Sequence, residues 1–374
     1  MLVLVVMVGR NRGAAAIRHL DGFVTHASDL RSRLGIDTRV VEVPHIDLVQ
    51  HEVRAWMPDV VIFAPSFVDS VDQVIAMCKR VRQNRPEPKL VYFDSYDLTS
   101  SPHFGVLPYV DRYLKSKLLT KTTDYQRRYQ GGNPLADFVV RELKADLSGW
   151  YFGSEIPPSE EHKIRPCWSF GASRDFEKLL KWSSRFHMPW GARIFDVNRR
   201  IALTKGDGSA SHWYAKSRRN AADALAKLST RHRYTGSGRV PRRLYLAELA
   251  FSKIVFSPFG WGEVCFRDYE AAAAGCLLVK PDMSHITTSP NIFVDNQTYI
   301  SVKWDLSDLG EKVNYWLARP KESQAIAQCA HDTLSAYFAS NKFVDDVASA
   351  LDGLIPGVRH RTASANATTT GGAS

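Results

Sequence analysis

The first ninety residues alternate between two patterns. Leu2–Val8 is a continuous apolar run that ends in Gly9-Arg10-Asn11-Arg12-Gly13, and Thr38–Val43, Val60–Pro65 and Lys89–Phe93 repeat the run in weaker form. Between them, Ile46–Trp56 and Val71–Gln83 read as helical stretches. Apolar runs without polar alternation belong to strands buried on both faces. Such strands separated by helices predict βαβ units in a parallel sheet. Asp94–Leu118 then breaks the alternation with Asp94, Asp97, Ser100, Ser101, Pro102, His103 and Asp111. It follows a predicted strand, and doubly wound sheets bind ligands outside the carboxyl ends of their strands.

A second alternation starts near residue 190. Its predicted strands are Arg193–Val197, Arg231–Tyr234, Lys253–Ser257, Cys276–Lys280 and Ile300–Val302. Its predicted helices are Ser211–Ser229, Arg242–Ala250, Leu306–Leu317, Lys321–Phe338 and Val344–Leu354. The economical architecture is α/β, with two Rossmann-like domains facing a central cleft. The expected boundaries are 1–150 for the first domain, 151–189 for a linker holding Pro157 and Pro158, and 190–358 for the second domain. Residues 359–374 form a tail rich in Ala, Thr, Ser and Gly.

Composition changes this picture little. The 374 residues are 44% apolar and 24% charged, as expected of a chain with packed cores. The formal charge of +10 favours an anionic partner, whether nucleic acid, membrane surface or phosphorylated substrate, without choosing among them. The five cysteines form no C-x-x-C pair, which leaves out a zinc knuckle or a disulfide framework. Leu2–Val8 is too short to span a bilayer, which takes about 20 residues. The expected location is cytoplasmic, with peripheral contact at the inner membrane face as an option.

Chemistry concentrates in Phe256–Lys280. Gly260 and Gly262 follow a predicted strand and allow a tight turn and close backbone approach. A helix is expected from Glu263 or Val264, and a helix N-terminus suits a diphosphate. Glu263, Arg267 and Glu270 lie at i, i+4 and i+7, on one face. Carboxylates accept hydrogen bonds from sugar and ribose hydroxyls, and Arg grips phosphate oxygens as a fork. The same spacing also describes an ordinary amphipathic helix with a Glu–Arg pair on its wet face.

The stretch resembles the donor-binding signature of GT-B glycosyltransferases, of the exostosin-like and bacterial group 1 types. The matching residues are Ser257, Gly260, Gly262, Glu263, Arg267, Glu270, Ala271, Gly275 and Cys276, and the similarity extends over most of 193–318. The resemblance implies transfer from a nucleotide diphosphate sugar to an acceptor hydroxyl, on a glycan or a lipid-linked acceptor. It implies no cofactor and no catalytic metal. Donor-binding candidates are Arg199, Arg200, Gly260, Trp261, Gly262, Glu263, Arg267, Glu270 and Lys280. In the best-known retaining signature, seven residues separate the two glutamates; here six do, so Glu270 is preferred as the ribose carboxylate and the stereochemistry stays open. For an inverting reaction the base is expected in the first domain, from Asp97, Asp94 and His103 in that order. Three alternatives remain: a DNA-modifying glycosyltransferase of phage type, a non-catalytic binding protein of the same architecture, and a sugar-nucleotide epimerase.

Overall fold

The computed structural model describes residues 1–9, 18–186, 188–201, 203 and 213–354. The expected Arg10–Gly13 loop, the start of the helix at Ser211 and the tail lie outside the described residues.

Among the described residues, the first half of the chain builds seven strands: β1 Leu2–Val8, β2 Asp37–Val43, β3 Val60–Ala64, β4 Lys89–Asp94, β5 Arg112–Lys115, β6 Leu118–Leu119 and β7 Ile164–Pro166. All but β6 join one parallel sheet in the order β2-β1-β3-β4-β5-β7. Val3, Val5 and Met7 enter one apolar cluster while Leu4, Val6 and Val8 enter another. Successive side chains of a strand point to opposite faces, so both faces of β1 are buried. That is why its sequence carries no polar alternation.

The second half forms β8 Phe195–Asn198, β9 Ser252–Phe256, β10 Leu277–Pro281, β11 Ile286–Thr287 and β12 Ile300–Val302. The four longer strands make a parallel sheet in the order β12-β10-β9-β8. The expected strand at Arg231–Tyr234 reduces to one bridge, Val197 to Tyr234.

Two features fall outside the expected boundaries. β7 lies within the expected linker yet completes the first sheet beside β5. The last described helix, Lys342–Leu351, packs Phe343, Val344, Val347 and Leu351 into the core of the first sheet. The chain therefore crosses back to its first domain at its end. The two halves are also joined directly: β6 pairs antiparallel with β11, and Ser169 N donates to Ser289 O at 2.7 Å. A third apolar cluster holds Leu98, Phe152 and Phe170 together with Val255, Phe259 and Val264.

Candidate active site

A cavity of about 680 Å³ opens at the carboxyl end of β9, between the two halves. Its floor is Pro258–Gly262 and Val264–Arg267, and its walls carry Arg18, Asp97, Phe170, Arg200, Arg218, Arg239, Arg242, Tyr245 and Glu270. Among the described residues, six arginines and three carboxylates line it, an excess of positive charge.

The loop after β9 is shaped by contact with the first domain. A Cβ on Gly262 would lie 2.1 Å from the carbonyl oxygen of Asp97, so only glycine lets the two backbones meet here. Glu263 follows that contact into the interface. It is fully buried, and Thr99 Oγ1 donates to its Oε1 at 3.1 Å. Burial pushes its carboxyl up to about 7, against the hydrogen bond from Thr99 and the nearby charges of Lys115 and Lys117. Glu263 does not line the cavity; it belongs to the joint between the halves.

The helix begins later than expected, at Phe266, with Cys265 as its N-cap. Asp268 accepts from Cys265 N at 2.8 Å and closes a capping box. It also pairs with Lys280 Nζ at 3.1 Å, both side chains being fully buried. Lys280 is thus a structural cation that holds the helix start against β10, away from the cavity. Arg267 and Glu270 do face the cavity. Arg242 Nη1 donates to Glu270 Oε1 at 2.7 Å, with Glu270 buried and Arg242 largely exposed. Burial, then the adjacent Glu270, push the Tyr245 phenol up, so it stays protonated between Glu270 and Arg267. Arg267 donates through Nη2 to the carbonyl of Arg200.

The other candidates separate clearly. Arg200 lines the cavity but is held as a fork by Glu248, with Nε to Oε2 at 2.7 Å. Arg199 turns away: its Nε donates to Thr235 O at 3.1 Å and its guanidinium sits 4.7 Å from the centre of the Tyr234 ring. Gly260 and Trp261 line the cavity. Asp97 reaches it from the first domain, partly exposed, with Lys117 Nζ 3.7 Å from its Oδ1. Asp94 does not. It is buried, and accepts from Tyr113 at 2.8 Å, from Lys115 at 3.0 Å and from Tyr96 N at 3.0 Å. His103 is buried too, with Nδ1 2.5 Å from the Tyr92 hydroxyl and Nε2 2.9 Å from Asp69 O. Burial holds its pKa below the usual range, which keeps it neutral and structural.

Sequence patterning did not single out Arg18, Arg218 or Arg239. Arg18 comes from the first domain and pairs with Asp175 at 2.6 Å. The one available signal was at Arg242, a cation at a helix N-terminus where the dipole disfavours it. Its partner Glu270 removes that anomaly. Among the described residues, no group of three His, Cys, Asp or Glu side chains is placed to hold a metal ion.

The two facing α/β halves and the cleft between them have the two-domain GT-B fold. Residues 209–348 match the family described as glycosyl transferase-like. Among solved structures, the Anabaena protein Alr3699/HepE in complex with UDP-glucose shares the fold at 12% identity and a TM-score of 0.50, over 94% of this chain and 99% of that one. A glycosyltransferase from Rickettsia africae matches with the same values. No curated protein matches the chain significantly. Among the described residues, no helix is long and apolar enough to cross a membrane.

Proposed function

We propose that the chain moves a sugar from a nucleotide diphosphate sugar to an acceptor hydroxyl. The observation that carries this reading is the convergence of Arg218, Arg242, Arg267 and Glu270 on one cavity at the carboxyl end of β9. Preorganised guanidinium groups stabilise the charge that builds on a departing diphosphate, which is the largest electrostatic demand of the reaction. The first turn of the Phe266 helix adds its dipole. Glu270, held by Arg242, accepts hydrogen bonds from ribose hydroxyls. Asp97 takes the acceptor proton in an inverting transfer, since it alone of the three candidate bases reaches the cavity. The arginines supply the positive charge that a metal ion would otherwise bring, so activity is expected to survive EDTA. All five cysteines are free thiols, which favours a cytoplasmic location.

The test is release of nucleotide diphosphate from a panel of sugar nucleotides, begun with UDP-glucose because the Anabaena protein of this fold was solved with it. One donor is expected to raise the melting temperature by mass action and to be slowly hydrolysed when no acceptor is present. A panel in which no donor shifts the melting temperature would overturn the proposal.

A further inference from the structure

A second cavity, of about 540 Å³, lies in the first domain beside the cleft. Aromatic side chains lie between them. Trp261 lines the cleft, its ring centre is 6.0 Å from that of Trp150, and Trp150 precedes Tyr151, which lines the second cavity. Trp150 is 49% exposed and Tyr151 63% exposed. Large aromatic rings normally bury 150–250 Å² each, so two adjacent exposed rings call for an explanation.

The segment that carries them is held in place. Ser148 N donates to Asp146 Oδ1 at 2.8 Å, and Trp150 N to Leu147 O at 3.0 Å. Phe152 N donates to Gly131 O at 2.8 Å, and Phe152 O accepts from Ser100 Oγ at 2.8 Å. Phe152 is buried and stacks on Trp150 at 5.7 Å. The rings therefore stand on a fixed base, which removes part of the ordering cost of binding.

The walls of the second cavity combine Tyr129 and Tyr151 with Arg127, Arg128, Glu155 and Glu161. Among the described residues, its two cations and two anions balance. Arg127 is further neutralised by Asp124 at 3.1 Å. A groove for nucleic acid needs surplus positive charge along the phosphates. A neutral sugar chain needs flat apolar faces for its C–H surfaces and planar polar groups for its hydroxyls, and both are present.

We infer that this groove holds the sugars of an oligosaccharide acceptor that extend beyond the one being modified, with Tyr151 on its wall and the exposed Trp150, beside Trp261 of the cleft, as stacking platforms. The inference rests on the transferase reading of the cleft and specifies its acceptor class: a glycan of several sugars, bound across both cavities.

The test probes an array of immobilised linear oligosaccharides, two to eight sugars long, with the full chain. Capture is expected to grow with length for at least one glycan, and to weaken about tenfold in Trp150→Ala and in Tyr151→Ala. The melting shift with a nucleotide diphosphate sugar is expected to be the same in both variants as in the wild type. Absence of capture, capture without length dependence, capture unchanged in both variants, or binding of a single-stranded thymidine oligomer in place of any glycan would overturn the inference. If the glycan pattern holds while no sugar nucleotide shifts the melting temperature, the groove stands and the transferase reading falls.

Discussion

The two loops that meet at the cleft, one after β4 and one after β9, treat their polar residues differently. After β4, Asp94, Thr99, Ser100, Ser101 and His103 all turn inward and bond to buried neighbours; Asp97 alone looks into the cavity. After β9, Glu263 and Asp268 turn inward, while Arg267 and Glu270 line the cavity. The first loop is mostly scaffold with one group turned to the cavity. The second turns a charged pair to the cavity and uses its inward residues to fix its geometry. Polar residues beside a cleft are therefore not equivalent, and the hydrogen-bond partners of each decide which can meet a ligand.

The largest expected effect separates the two aspartates of the first loop. Asp97→Asn is expected to lower transfer by about 10²–10⁴-fold with donor binding intact, as loss of a general base does. Asp94→Asn is expected instead to lower stability. Steady-state rates together with melting curves distinguish them, and equal rate losses at equal stability would remove the contrast.

Next comes the buried Lys280–Asp268 pair. Lys280→Met leaves a buried carboxylate unpaired and is expected to cost about 3–5 kcal/mol of stability in urea unfolding. A loss of donor affinity without loss of stability would place Lys280 back in the site.

Glu263 gives a smaller effect with a definite sign. Its carboxyl holds a proton more tightly folded, at about 7, than its ordinary value of 4.5. Folded chains thus bind more protons than unfolded ones between these limits, and stability falls as pH rises through that window. Glu263→Gln removes this dependence, so it should raise stability at pH 8 relative to pH 4.5, on the order of 3 kcal/mol. Urea titrations at several pH values with parallel slopes for wild type and variant would contradict the assignment.

Arg199→Ala should do least. Loss of its contact with Tyr234 is worth about 0.5–1 kcal/mol, and donor binding should not change. A tenfold weaker donor would show that Arg199 moves into the cleft.

Much of the fold was legible because its strands are buried on both faces. β1 was read at its observed limits, and Arg242–Ala250 likewise. β7 was missed because Ile164-Arg165-Pro166 is too short to show a period. The last helix was assigned to the second domain by chain order, whereas its apolar face finds the first sheet, a contact across the whole chain. The same limit applies to the site. Asp94 and Asp97 look alike in sequence, and only the distant Tyr113 and Lys115 decide that Asp94 is buried. Helical spacing put Arg267 and Glu270 on one face, and both line the cavity. Glu263 shares that spacing but precedes the helix, so the period did not apply to it.

The most direct measurement is a calorimetric titration of nucleotide diphosphate sugars into the wild type and Glu270→Gln. The expected result is one preferred donor whose affinity drops at least tenfold in the variant, the loss of a hydrogen bond to a charged group. Equal affinity for that donor in a folded Glu270→Gln protein would contradict a donor site at the carboxyl end of β9.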